Sequence, residues 1–134
     1  MPQVRRDAGR VAVLIDPRVW REEVERLDAR SAARIAAERE RGTLEAEGVS
    51  RRLLERCDDE GADRTRLRGF VKAYVPLRGS PPSERPFGFV FRPGRGNGEL
   101  ILDLLAFGER HPQPGTRSVY ERAHKRLHGR YPDQ

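Results

Sequence analysis

The stretch at residues 98–129, GELILDLLAFGERHPQPGTRSVYERAHKRLHG, decides the fold of this chain. It begins with an apolar run at 100–107 that follows a glycine-rich turn and ends at Gly108. A short apolar run between two turns is typical of a strand that is buried on both faces. We therefore predict that residues 99–107 form the central strand of a sheet.

The same stretch ends in a helix whose first turn is well marked. Ser118 and Glu121 form a capping box, in which the hydroxyl and the carboxylate satisfy backbone amides that the first turn leaves unpaired. Val119, Ala123 and Leu127 keep helical spacing on one apolar side. The buried strand and this helix should bring a basic segment, which contains all three histidines of the chain, to one edge of the sheet.

The N-terminal part of the chain predicts one strand and two helices. The apolar residues 11–15 read as the first strand, and Asp16 is placed to cap a helix over 17–41. Gly42 interrupts the helical pattern, and a second helix is predicted over 49–60. These helices would form a hairpin that covers one face of the sheet.

Two further strands are predicted between the hairpin and the central strand. Alternation of side chains predicts a strand at 70–75, and a second one at 87–91 is followed by a flexible turn at 93–98. The three phenylalanines of the second strand share one face. We favour core packing for them over a surface on which nucleic-acid bases stack.

The fold class expected from these elements is α+β, in a single domain over residues 1–134 with a frayed segment at 1–9. A helical hairpin should pack on a mainly antiparallel four-stranded sheet, with a short helix at the C-terminus. The sequence contains no run near the ~18 apolar residues that span a membrane, and no secretory signal is visible. We therefore expect a cytoplasmic protein without a membrane partner.

Cys57 is the single cysteine, so an intramolecular disulfide is excluded. We interpret it as a small core residue and not as a nucleophile. The glycine-rich turn before the central strand lacks the lysine and hydroxyl ending of a phosphate-binding loop, and it links two strands. Asp103, within the buried strand, is best explained by a structural ion pair with an arginine.

The net charge of +6 is unevenly distributed along the chain. Residues 1–60 contain 13 arginines and 14 acidic residues, whereas residues 61–134 contain 14 basic and 7 acidic residues. A basic half attracts polyanions in a salt-dependent manner. The strong preference for arginine, 25 against 2 lysines, can also reflect genomic base composition. Charge alone therefore leaves contact with nucleic acid or the ribosome open.

The segment after the central strand is the densest collection of chemically active side chains. RNA can be cleaved without a metal if one group accepts a proton, another donates one, and cations hold the developing charge on phosphorus. Histidine, tyrosine and arginine suit these roles. A basic terminal helix can equally be a solvated or a phosphate-binding surface. The candidates are Arg110, His111, Arg117, Tyr120, His124, Lys125 and Arg126.

His124 and His128 are spaced i, i+4 on the predicted terminal helix, a spacing that can bind a metal. Without a third matched ligand in the sequence the signal is weak, so we expect neither a metal nor another cofactor.

Several short motifs of the C-terminal half resemble a known family. They are Leu67-Arg68-Gly69 before one strand, Leu77-Arg78-Gly79 before the next, and Gly108-Glu109-Arg110 and Ser118-Val119-Tyr120 after the central strand. With these motifs and with its order of elements, the chain resembles a divergent member of the RelE/ParE superfamily of bacterial toxins. The resemblance in element order covers residues 10–131, and its motifs lie within 67–120.

The resemblance implies one of two activities. The RelE branch comprises ribosome-dependent endoribonucleases that cut mRNA, whereas the ParE branch inhibits DNA gyrase and needs no catalytic residues. By position, Arg110 and Tyr120 match the terminal arginine and tyrosine of the family, and Arg78 matches the basic residue after its second strand. An antitoxin protein is a further partner that the resemblance implies. The family carries an arginine within its middle strand, but residues 87–91 contain none and Arg85 lies before them.

Two functional hypotheses remain from the sequence. In the first, which we favour, the chain is a ribosome-associated, metal-independent endoribonuclease in which Arg110 holds the phosphate, His111 is the acid or base, and Tyr120 orients or donates. In the second, a non-catalytic module binds RNA, the ribosome or a protein such as gyrase. The oligomeric state stays open. The residues expected to bind RNA are Arg78, Arg117, His124, Lys125 and Arg126.

Overall fold

A mixed six-stranded sheet and three α-helices make up the described part of the chain, which in this computed structural model comprises residues 9–57, 69–75 and 86–129. The strands are β1 (Arg10–Leu14), β2 (Val49–Ser50), β3 (Leu54–Arg56), β4 (Val71–Val75), β5 (Phe87–Gly96) and β6 (Glu99–Glu109). The helices are α1 (Pro17–Glu23), α2 (Ala32–Glu47) and α3 (Val119–Leu127), with a 3-10 turn at Arg51–Leu53. The strand order is β2-β1-β6-β5-β4-β3.

The predicted central strand is confirmed and is longer than expected. β6 lies between β1, to which it is parallel, and β5, to which it is antiparallel. Leu102 and Leu104 are only 1% and 3% exposed, as a doubly covered strand requires. Pairing with β5 extends from the turn at Asn97 and Gly98, where both residues have positive φ as two-residue hairpin turns require, to Glu109.

The sheet separates two cores, and a β-bulge in β6 places two consecutive residues in one of them. Val90 pairs with Ala106 and Phe91 with Leu104, so Leu105 is the extra residue of β6. Leu105 and Ala106 consequently both contribute to the core beneath α3, while the leucine before them contributes to the core beneath α1 and α2. Helices therefore cover both faces of the sheet, which gives this short chain two small cores.

The phenylalanines of β5 are core residues, as predicted. Phe89 packs against Trp20 of α1 and against Phe107 of β6, with ring centroids 6.4 Å and 4.9 Å apart. Phe89 and Phe91 are 2% and 0% exposed, which excludes them as a platform for bases. Phe87 is half-buried and stacks on Phe107.

The single helix predicted over 17–41 is wrong, because the chain breaks between Glu23 and Ala32 into α1 and α2. The Asp16 cap is confirmed, since its carboxylate accepts a hydrogen bond from the Arg18 amide at 2.8 Å. The break comes from a second cap: Ser31 accepts from the Arg34 amide at 3.2 Å and starts α2. A serine hydroxyl that accepts a hydrogen bond from a nearby backbone amide favours the start of a helix over its interior. A new helix therefore begins here, although the spacing of apolar residues continues unbroken.

The predicted helix over 49–60 is also wrong within the described residues. α2 continues through Gly42 to Glu47, and the chain then turns at Gly48 with a φ of 74°. Val49 pairs with Val11 of β1, which adds an edge strand where a helix was expected. Leu53 is 62% exposed, so the apolar spacing that predicted the helix does not mark a buried face. The helices that precede β4 are therefore α1 and α2, and the sheet has six strands instead of four.

The predicted C-terminal helix is confirmed, including its capping box. The Ser118 hydroxyl accepts from the Glu121 amide at 3.2 Å, and the Glu121 carboxylate accepts from the Ser118 amide at 3.5 Å. Cys57 is buried in the core beneath this helix, as its interpretation as a core residue requires. None of the described helices has the length and apolar character that crossing a membrane demands.

Candidate functional site

An open cleft of about 1140 Å³ lies where β6 ends and the chain crosses to α3. Its position follows from the sheet: the Arg110 amide donates to the Pro86 carbonyl at 2.8 Å, so the crossing segment leaves from the start of β5. Among the described residues that line it, six are lysine or arginine and two are glutamate. The basic residues are Arg26, Lys72, Arg110, Arg117, Arg122 and Lys125. Such a cleft attracts anions.

Arg110 is the best-positioned cation of the cleft. Its Nε donates to the phenol oxygen of Tyr120 at 3.1 Å, and one terminal nitrogen donates to the phenol oxygen of Tyr74 at 3.2 Å. The guanidinium carbon also lies 4.0 Å from the centre of the Tyr74 ring, a cation–π contact. Contacts with two tyrosines from different elements restrict the side chain, so it needs little reorganisation to bind an anion.

Lys72 adds a second cation beside Arg110. Its Nζ donates to the Tyr120 phenol oxygen at 3.4 Å and lies 5.0 Å from the centre of that ring. Burial alone would lower the pKa of Lys72, but the oxygens of Tyr120 and Tyr74 outweigh burial and hold the pKa above its ordinary value. The side chain is therefore a cation at neutral pH and can stabilise negative charge.

The structure brings five of the predicted site residues into this cleft: Arg110, His111, Arg117, Tyr120 and Lys125. His111 is exposed, while Arg117, Tyr120 and Lys125 are half-buried. Phe87 forms part of the apolar wall beside them. The cleft therefore combines cations, a phenol and an imidazole, which is the set that the sequence placed at this edge of the sheet.

Arg126 and His124 are not among the residues that line the cleft. Arg126 donates to Glu22 and to Glu23, both at 2.8 Å. Burial would lower the pKa of Arg126, but these carboxylates outweigh it and raise the pKa. His124 lies one turn before His128 and contacts it. Arg126, one of the residues expected to bind RNA, is thus held by two carboxylates outside the cleft. Arg78 lies outside the described residues.

Beneath the cleft, a completely buried carboxylate fastens α1 to α3. One Glu23 oxygen accepts from Arg122 at 2.9 Å and from the Phe107 amide at 3.1 Å. The other accepts from Arg122 at 3.0 Å and from Arg126 at 2.8 Å. A buried charge is tolerated only when it is paired and hydrogen-bonded in this way. The network fixes the helix that carries Tyr120.

The side chains of Glu23 and Arg26 also pair backbone groups of β6 that lie beyond the end of β1. β1 ends at Leu14, opposite Asp103, so β1 provides no ladder partner for the Phe107 peptide unit on that side. Glu23 accepts from the Phe107 amide, and Arg26 donates to the Phe107 carbonyl at 3.1 Å. Side chains of the segment after β1 therefore satisfy backbone groups that would otherwise be exposed or unpaired.

Sequence reasoning missed Lys72 and Tyr74 as members of the site. The sequence feature that could have identified them is the alternation of side chains at 70–75, which places both residues on the mixed face of β4. It also missed the pairing of Glu23 with Arg122, since 99 positions separate them and no local pattern connects residues at that distance. Asp103 lies directly opposite Arg92 in the β5–β6 pair, and its ion pair with an arginine stays a prediction.

The cleft can bind a phosphate group and stabilise charge that develops on it. Arginine offers a planar pair of donors to phosphate oxygens, and lysine adds a compact charge. In the described residues, no group of three or more His, Cys, Asp or Glu side chains is arranged to hold a metal. Comparisons of the chain with protein-family models, with curated proteins and with solved structures found no match.

Proposed function

We propose that the chain is a RelE/ParE-like toxin, a ribosome-associated endoribonuclease that cuts mRNA without a metal. The observation that carries the proposal is the placement of Arg110, held by two phenol oxygens at 3.1 and 3.2 Å, in a cleft with five further basic residues. Restrained cations of this kind stabilise a transition state better than mobile ones, since they need no reorganisation.

The chemistry is internal transfer at phosphorus. The 2′-hydroxyl oxygen attacks the adjacent phosphorus, the bond from phosphorus to the 5′-oxygen breaks, and a 2′,3′-cyclic phosphate and a 5′-hydroxyl result. A base removes the 2′ proton, and an acid supplies one to the 5′-oxygen. Arg110 and Lys72 hold the charge on the phosphorane oxygens. His111 is the acid or base, because an imidazole can both accept and donate a proton. Tyr120 orients Arg110 and can donate a proton.

The order of elements supports the family assignment. A first strand, two helices, three antiparallel strands and a terminal helix follow one another, as β1, α1, α2, β4, β5, β6 and α3. The short β2 and β3 are additions to that order. The Arg and Tyr of the two C-terminal motifs, Arg110 and Tyr120, are also in direct contact. An antitoxin as partner remains part of this proposal.

A non-catalytic module that grips RNA, the ribosome or a protein such as gyrase is the second candidate. Exposure of His111 favours it, because an exposed imidazole that no described hydrogen bond orients is a poor proton carrier. The arginines of β5, the middle of the three antiparallel strands, are Arg92 and Arg95, and neither lines the cleft, which favours it as well. In this case the same cleft supplies affinity through Arg110 and its neighbours and performs no chemistry.

Induced expression in a bacterium tests the proposal. The wild-type chain should arrest growth, and Arg110→Ala and His111→Ala should both relieve the arrest. Arg95→Ala is the matched control, because Arg95 is exposed near the β5–β6 turn, at the opposite end of the hairpin from the cleft. Arrest that persists in His111→Ala but not in Arg110→Ala would favour the binding module. Growth at an expression level verified by immunoblot would contradict the toxin.

A further inference from the structure

Two histidines at the end of α3 converge on each other. The Nε2 atoms of His124 and His128 lie 3.2 Å apart. The backbone fixes their spacing, since the His128 amide donates to the His124 carbonyl at 3.3 Å and thereby keeps the last turn helical. His128 is exposed and His124 half-buried, so ions in solution can reach the pair.

The distance between the nitrogens fits two ligands of one metal ion. Two imidazole nitrogens that bind an ion at about 2.1 Å in a tetrahedral or octahedral arrangement lie roughly 3.0–3.4 Å apart. The ring centroids are 4.4 Å apart with 53° between the planes. Without an ion, the 3.2 Å contact is an N–H···N hydrogen bond whose donor depends on the tautomer, and a bound ion would take its place.

We propose that His124 and His128 form a two-histidine site for a divalent transition-metal ion such as Cu²⁺, Ni²⁺ or Zn²⁺, with water in the remaining positions. Neutral imidazole suits these ions, and affinity should follow the order Cu²⁺ above Ni²⁺ and Zn²⁺. Mg²⁺ and Ca²⁺ prefer oxygen ligands and should not compete. Two protein ligands make this an open, exchangeable site.

The histidine pair lies outside the cleft on which the proposed function depends. His124 and His128 do not line the cleft among its described residues, whereas His111 does. Arg126, which lies between the two histidines in sequence, is engaged by Glu22 and Glu23, so its charge is largely balanced. Metal binding and RNA cleavage can therefore succeed or fail independently of each other.

Isothermal titration of the full, tag-free chain with NiCl₂ and ZnCl₂ at pH 7.5 tests the site. One ion per chain should bind. His124→Ala and His128→Ala should each weaken binding on the order of 100-fold, because the second nitrogen otherwise binds at a high effective concentration within one molecule. His111→Ala is the matched control, since it removes the third histidine of the chain and should leave the affinity unchanged.

Thermal unfolding provides a second measurement. Excess Ni²⁺ should raise the Tm of the wild type and of His111→Ala, because an ion that binds only the folded helix shifts the equilibrium towards it. The double variant His124→Ala/His128→Ala should show no shift, and circular dichroism without metal should confirm that it folds. Absence of binding by the wild type, equal binding by the double variant, or loss in His111→Ala would overturn the proposal.

Discussion

The Arg110 guanidinium donates to the phenol oxygen of Tyr120 at 3.1 Å and thereby joins the end of the central strand to the first turn of the C-terminal helix. Tyr74 of β4 accepts from the same guanidinium at 3.2 Å. Three elements thus hold one cation, and the charged group is restrained before any ligand arrives. Restraint of this kind lowers the cost of binding, because less side-chain freedom is lost.

Replacement of Arg110 by alanine should weaken binding of single-stranded RNA about 10- to 100-fold, the value of a charge-assisted hydrogen-bond contact. The dependence of binding on salt should also fall by about 0.7 in log–log slope, since one fewer phosphate is neutralised. Fluorescence anisotropy at several salt concentrations measures both. The Arg95→Ala control removes the same charge outside the cleft and should change affinity less than about threefold. Equal losses in the two variants would contradict a cleft-specific role.

We expect loss of the buried Glu23–Arg122 ion pair to lower the free energy of unfolding strongly. Arg122→Leu should cost about 3 kcal/mol, because it leaves a buried carboxylate short of a partner. The loss should be near the lower end of the usual range, since Arg126 and the Phe107 amide still contact Glu23. Urea unfolding followed by circular dichroism measures the change.

Arg18→Ala provides the comparison for this ion pair. Arg18 pairs with Glu22, but its side chain is 79% exposed. Removal of such a surface pair should cost at most about 1 kcal/mol. If Arg122→Leu were no more destabilising than Arg18→Ala, the buried network would not support α3 in the way described.

Two glycines near the end of α2 should respond to alanine in opposite directions. Gly42 lies inside the helix with open space around its Cα, so Gly42→Ala should stabilise the chain by about 0.5–1 kcal/mol. At Gly48 the φ is +74°, and a Cβ would lie 2.1 Å from the Val11 carbonyl oxygen. Gly48→Ala should therefore destabilise the chain by about 2 kcal/mol or more. Chemical denaturation of both variants checks the contrast, and two changes of the same sign would refute it.

Cys57 should react slowly with alkylating agents at pH 8. Burial raises the pKa of its thiol from 9.0 to about 11, and nearby Lys72 only partly opposes this. The thiolate is the reactive form, so iodoacetamide should modify the folded chain at least about 100-fold more slowly than the chain in urea. Equal rates would show that the thiol is exposed.

The same shift predicts a loss of stability at alkaline pH. The unfolded thiol ionises near pH 9, whereas the folded thiol resists until about pH 11, so stability should fall as pH rises through this interval. The contribution is on the order of 2–3 kcal/mol. Comparison of unfolding free energies for the wild type and Cys57→Ala isolates it, since the variant lacks this titration. Parallel pH profiles for the two proteins would argue against the shift.

Elements with a strong local signal could be predicted from the sequence. The apolar run of β6 and the capping box of Ser118 and Glu121 both appear as expected, because local hydrophobicity and capping decide them. The grouping of Arg110 with Tyr120 followed from the same two elements, since a strand end and a helix start meet at one sheet edge.

Features decided by distant partners could not be predicted. The spacing of apolar residues suggested a helix over 49–60, but pairing of Val49 with Val11 favours an edge strand there. Tertiary pairing overrides a short helical pattern in this way. The sequence placed Arg126 among the residues expected to bind RNA, because its partners, Glu22 and Glu23, lie more than 100 positions away. Only the packing of α1 against α3 reveals that role.

Primer extension on mRNA from translating ribosomes, incubated with purified chain and 1,10-phenanthroline to remove transition metals, tests the central claim most directly. New mRNA ends should appear with the wild type and with Arg95→Ala, and these ends should fall by at least about 100-fold with Arg110→Ala and with His111→Ala. No new ends at saturating wild-type chain, or undiminished cleavage by Arg110→Ala, would contradict it.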